Sequence, residues 1–135
     1  MVKILYFVIR RPDLSAEAFR TALRAAQARI APTLKERLGA VSHSVSAPAC
    51  AKRSHCLAAS RHLGGAAPDA VIEIAWANVD AYDQAMGSPG GLAALDAMVA
   101  SERAWVDFQR SAAMLAVTQS VSGAHSKDEL LDEES

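Results

Sequence analysis

Three polar residues stand where an apolar neighbour would be ordinary, and each could do chemistry. Glu73 lies between Ile72 and Ile74 in "DAVIEIAWA" (69–77). A carboxylate in such a run is costly unless paired or wetted, and burial would raise its pKa toward the range of a general base. His43 alternates with serines in "AVSHSVSA" (40–47). It is the one histidine that falls within an expected strand, and imidazole titrates close to neutrality, so it is the best general-base candidate by type. Gln27 lies beside the apolar stripe of "LSAEAFRTALRAAQARIAP" (14–32). At 100° per residue it stands roughly 60° from the centre of the Phe19–Leu23–Ile30 line, so it can point into a cavity at the stripe's edge. The plainer alternatives are a Glu73 paired with an Arg or set at an open barrel mouth, and a satisfied or half-exposed strand histidine.

Metal and thiol chemistry find less support. Cys50, His55, Cys56 and His62 cluster in sequence, but a Cys-x5-Cys spacing with adjacent His55 and Cys56 does not match the paired ligand spacing of structural zinc. No metal and no cofactor is expected. The "SPGG" run (88–91) could hold an anion at a helix start, yet it lacks a phosphate-loop pattern and reads better as a helix break.

The elements that must position these residues follow from periodicity. "VKILYFVI" (2–9) is a continuous apolar run with β-branched and aromatic members, as in a buried strand. Ser15 can cap a helix in which Phe19, Leu23, Ala26 and Ile30 recur at helical spacing. Pro32 marks a kink or an end, with a further turn to Leu38, and Gly39 is a stop. In the second strand Val41, His43 and Val45 share one face and the serines the other. Residues 48–68 are a long loop or a short helical insertion. In the third strand Ile72, Ile74 and Trp76 oppose Val71, Glu73 and Ala75. Asn78 can cap one short helix, and Ser88-Pro89 can open the next. Leu92, Leu95, Val99 and Trp105-Val106 give that helix its expected core stripe. "SAAMLAVTQSV" (111–121) is the last strand, and the acidic run from 122 to 135 is an expected frayed tail. The order strand, helix, strand, strand, helix, strand predicts an α+β, ferredoxin-like βαββαβ domain with an antiparallel sheet over residues 1–121.

Composition bounds the function. The chain has 135 residues, half of them hydrophobic, and 15 acids against 14 Lys and Arg. Such a chain folds, and it carries no basic field for nucleic acid or an anionic membrane. Much of the apolar content is alanine, which buries little area per residue, so a second copy is expected to complete the core. The apolar N-terminal run is too short to span a membrane and meets Arg10 and Arg11. The expected location is the cytoplasm.

Two stretches resemble the EthD family, named for ethyl tert-butyl ether degradation. "ILYFVIRRPDLSAEAF" resembles its opening, a strand ending in a basic residue, a proline turn and a helix carrying a Phe. "DAVIEIAWANVDAYDQAMGSP" resembles its second-half motif, an Asp-led strand ending in an aromatic, then a helix and an "SP" break. The resemblance implies a dimeric α+β barrel and a small-molecule pocket. It implies pocket roles for Asp69, the strand-opening acid, and for Arg10, the basic residue closing the first strand. Tyr6 and Trp76 join them as ligand-binding candidates. Family members often carry a His on the first helix, eight residues after the Phe. Counting from Phe19 that position is Gln27, whereas anchoring on Pro32 puts Ile30 there. Either way the helix carries no His, and Gln27 is an amide that can bind but cannot shuttle protons as imidazole does. The expectation is a cofactor-free enzyme working by proton transfer or oxygenase-type chemistry on an apolar or aromatic metabolite, with Glu73, His43 and Asp69 as catalytic candidates. The alternative is a non-catalytic binding or accessory protein.

Overall fold

A computed structural model describes residues 1–122; the acidic run expected to be a frayed tail lies, from residue 123 on, outside the described residues. The elements run β1 (Val2–Val8), α1 (Ala16–Glu36), β2 (Ser42–Ser46), α2 (Ala51–Ala59), β3 (Ala70–Trp76), α3 (Val79–Gly87), α4 (Pro89–Glu102) and β4 (Ala112–Val117). The four strands form one sheet in the order β2-β3-β1-β4, and every neighbouring pair is antiparallel. Each helical crossover therefore skips over one strand, which makes the fold ferredoxin-like α+β.

Register sorts the side chains. Ile4 pairs with Ile74 and Leu115, Tyr6 with Ile72 and Ala113, and His43 with Ile74. Directly paired residues project from the same face of a sheet. Val2, Ile4, Tyr6, Val8, Ala70, Ile72, Ile74 and Trp76 thus share one face with His43, and on it they meet Phe19, Leu23, Ala26 and Leu34 of α1. The opposite, open face carries Lys3, Leu5, Phe7, Val71, Glu73, Ala75, Ala112, Met114 and Ala116, with three serines of β2. Only Ala75 among them is buried.

Helix α1 is fixed at both ends by its sequence. The Ser15 hydroxyl accepts from the Ala18 amide, and the helix passes through Pro32 before ending at Glu36. Gly39 follows at φ +71°, a left-handed conformation that costs a side-chain-bearing residue about 1 kcal/mol. The Ala40 amide closes back onto the Leu34 carbonyl. The segment 48–68 holds α2, none of whose residues is buried.

Helices α3 and α4 meet at Ser88. Its side chain accepts from the Gly91 amide and donates to the Ala85 carbonyl. A Cβ on Gly91 would lie 1.8 Å from the Ala85 oxygen, so the glycine in "SPGG" permits a backbone close approach. The stripe expected on α4 is rotated. Gly91, Ala94 and Glu102 are the buried residues, while Leu92 and Val99 are exposed. The helix stops at Glu102, and Trp105 and Val106 are buried from the turn beyond it, not from the helix. Tertiary packing of α4 against both α1 and α3 sets this rotation.

Candidate functional site

A cavity of about 230 Å³ opens between α1 and α4 on the helix-covered side of the sheet. Ala26, Ile30, Ala97, Met98 and the Trp105 ring supply its apolar wall; Gln27, Arg29, Ser101 and Glu102 supply polar groups. Engineered apolar cavities of about 150 Å³ admit benzene, so this volume suits a compact single-ring molecule.

Glu102 is the unusual member. It ends α4 on its buried face, with only 6 % of its surface exposed. The Tyr6 hydroxyl, reaching up from β1, donates to its Oε1 at 3.0 Å. Burial raises the carboxyl above its ordinary range, and the Tyr6 hydrogen bond opposes that rise in part. Burial, with the neighbouring Glu102 charge, pushes the Tyr6 phenol upward too, so it stays a donor. Backbone contacts fix this end of α4. The Trp105 and Val106 amides bond the Glu102 carbonyl, and the Arg11 amide bonds the Trp105 carbonyl.

Gln27 is the second buried polar group, 8 % exposed. Its Oε1 lies 2.7 Å from His43 Nε2. Burial lowers the His43 pKa, which favours the neutral ring. Among the described residues, the Trp105 Nε1 is the only buried side-chain nitrogen or oxygen both sealed from solvent and without a partner. Glu102 Oε2 and Gln27 Nε2, which have no partner among the described residues, are therefore reachable by solvent, and the cavity is the opening both residues line. The Trp105 ring itself packs edge-on to Phe19, with centroids 5.9 Å apart. Its unmade hydrogen bond costs about 1–3 kcal/mol.

The remaining sequence candidates lie elsewhere. Glu73 projects from the open face, where its Oε2 accepts from the Ser44 hydroxyl at 3.5 Å. The sheet thus separates it from the cavity, because the strand alternates faces at each residue. Asp69 stands just before β3. It accepts from the Arg10 amide at 2.8 Å and pairs with the Arg10 guanidinium at 3.6 Å, tying the end of β1 to the start of β3. Arg10 also donates to the Leu14 carbonyl. Trp76 is not a cavity residue: it is wholly buried, its Nε1 donates to the Leu38 carbonyl at 2.8 Å, and its ring meets Tyr82 edge-on. Cys50 and Cys56 are exposed free thiols, and no cluster of metal-ligating side chains occurs among the described residues.

Of the sequence candidates, Gln27 lines the cavity, while His43 and Tyr6 reach it only through their contacts with Gln27 and Glu102; Glu102, Trp105 and Met98 join the lining without having been site candidates. Glu102 stands four residues after Met98, but it lies between Ser101 and Arg103 at the end of the expected stripe, so its spacing does not single it out.

No protein-family profile and no curated protein matches the chain. Solved structures do. A dimeric ferredoxin-like protein of unknown function from Bacteroides fragilis is 12 % identical, with a TM-score of 0.53 over 84 % of this chain and 92 % of that one. A hypothetical Arabidopsis thaliana protein is 11 % identical, with a TM-score of 0.52 over 90 % of each chain. The cofactor-independent oxygenase SnoaB from Streptomyces nogalater is 17 % identical over 91 % of this chain and 94 % of that one, at a TM-score of 0.45. The first two likenesses are of fold. No helix among the described residues is long and apolar enough to cross a membrane.

Proposed function

We propose that this chain is a small-molecule enzyme in which Glu102 moves a proton to or from a compact, mostly apolar ligand held between α1 and α4. One observation carries the reading: a buried carboxyl with a raised pKa keeps one oxygen free at an apolar cavity. A carboxyl shifted toward neutrality is matched to general acid–base work, and desolvation strengthens its interaction with a bound proton donor. Tyr6 holds Oε1, so Oε2 is the atom that exchanges the proton. A carbanion made this way could rearrange, lose a leaving group or meet dioxygen, which keeps the isomerase, lyase and oxygenase-type classes together. The non-catalytic alternative draws on Gln27, an amide that binds without transferring protons.

The assembly that suits this reading is a homodimer closed through the open sheet face. Leu5, Phe7, Val71 and Met114 leave an apolar surface there, and the Bacteroides fragilis neighbour is described as dimeric. Kinship with EthD proteins rests on the two resembling stretches together with the ferredoxin-like fold. The acting unit is taken as residues 1–121, in the cytoplasm, with neither nucleic acid nor membrane as partner.

The test is deuterium exchange. A panel of single-ring ketones and phenols is incubated with the protein in D2O and read by NMR. Exchange at one acidic C–H should be accelerated, and Glu102→Gln should reduce that acceleration by about 10²–10⁴-fold. Undiminished exchange in the variant overturns the role of Glu102. Native mass spectrometry of gently purified protein gives the complementary lead, a dimer with a retained small mass.

A further inference from the structure

Gln27 stands between two different neighbours, the imidazole of His43 on one side and the cavity on the other. A carbonyl oxygen only accepts hydrogen bonds. The 2.7 Å contact between His43 Nε2 and Gln27 Oε1 therefore has the ring donating. In this contact the neutral ring is its Nε2–H tautomer, and acid adds a proton at Nδ1 and leaves Nε2–H in place, so the contact keeps its direction on protonation. With Oε1 occupied, the part of the amide left for the cavity is Nε2 and its two N–H donors. Glu102 across the same cavity offers an oxygen.

We infer that His43 is a positioning residue which locks the Gln27 amide with its donors toward the cavity, so that the site selects ligands carrying an acceptor oxygen on the α1 side. The inference deepens the reading of this cavity as a ligand site and rests on it. It also gives the strand histidine a use that does not require it to touch the ligand. The orientation of Gln27 would otherwise be free: an amide can turn end for end and serve a donor or an acceptor equally. A buried, unrotatable donor discriminates because a ligand without an acceptor leaves it unpaired.

Three probes of similar size separate shape from polarity. Cumene has no hydrogen-bonding group, acetophenone only accepts, and indole only donates. Each is titrated into 15N-labelled protein and followed by the indole N–H resonance of Trp105 and the side-chain amide resonances of Gln27. Acetophenone should bind about tenfold more tightly than cumene, while indole, which can donate only to the Glu102 oxygen in the wild type, should tighten relative to cumene once the amide is free to turn its own oxygen inward. In His43→Leu the amide is free to turn, so the preference for acetophenone should fall to within about threefold while cumene binding stays as it was. Gln27→Leu should remove the preference altogether. A merely structural role for His43 would weaken cumene and acetophenone together. If cumene does not enter the wild-type cavity, the ligand-site reading fails and the inference falls with it. If cumene enters but acetophenone binds no more tightly than it, or His43→Leu keeps the tenfold preference, the inference alone is overturned.

Discussion

Burial holds the Glu102 carboxyl above its ordinary value near 4.5 and the His43 imidazole below its ordinary value near 6.5. The two shifts act on stability with opposite signs. For Glu102 the folded state keeps a proton that the unfolded state has released, so stability falls as pH rises from about 4.5 through the raised folded value. For His43 the unfolded state takes up a proton first, so stability falls as pH drops below about 6.5 toward the lowered folded value. Glu102→Gln should remove the first slope and His43→Leu the second, as read from urea midpoints between pH 4 and 8. Tyr6→Phe removes the donor to Oε1 and should cost about 1–2 kcal/mol once Glu102 is charged, while the Glu102 titration moves still higher. An unchanged Glu102 titration in that variant, followed by carboxyl NMR, would show that the phenol does not tune it.

At the scale of the elements, the α3–α4 junction and the length of α1 hold the cavity walls in place. Gly90 and Gly91 are adjacent but not equivalent. A side chain at Gly90 meets open space, whereas one at Gly91 meets the Ala85 carbonyl. Gly91→Ala should cost about 1–3 kcal/mol by forcing the two helices apart. Gly90→Ala should be neutral or gain up to about 1 kcal/mol, because alanine orders a helix better than glycine. Thermal denaturation of the pair separates close approach from propensity. Phe19→Ala should cost about 3–5 kcal/mol, since the ring is buried against Trp105 on the far side of the cavity wall. It should also broaden the Trp105 resonance that reports on ligand entry.

For the whole molecule, the proposed homodimer would close through the open sheet face. Phe7 sits mid-face, paired with Val71 and Ala112. Phe7→Lys should turn the dimer into a monomer in sedimentation velocity while far-UV circular dichroism stays native, because the substituted side chain is half-exposed in the single chain. A wild-type protein that sediments as a monomer would remove the closed-barrel assembly but leave the cavity intact, as every residue of that cavity comes from one chain.

Local pattern determined most of the fold. The alternation of Ile72, Ile74 and Trp76, the Ser15 and Asn78 caps, the Ser88-Pro89 start and the Gly39 stop are each written in a few neighbouring residues, and the strands and helices appear where those signals place them. Position within α1 likewise sent Gln27 to the edge of a cavity, and the alternation of β2 put His43 on the face opposite its serines. Tertiary structure alone decided the rest. The rotation of α4 depends on what α1 offers it, so exposed Leu92 and Val99 and buried Glu102 could not be told from periodicity in a helix where alanine is everywhere. The meeting of Tyr6 with Glu102 joins residues 96 positions apart. That of His43 with Gln27 joins a strand to a helix on the far side of a turn. Sequence sets which face a side chain takes, because that is a property of one element's period; which side chains meet depends on how two elements pack, and no single period contains that information.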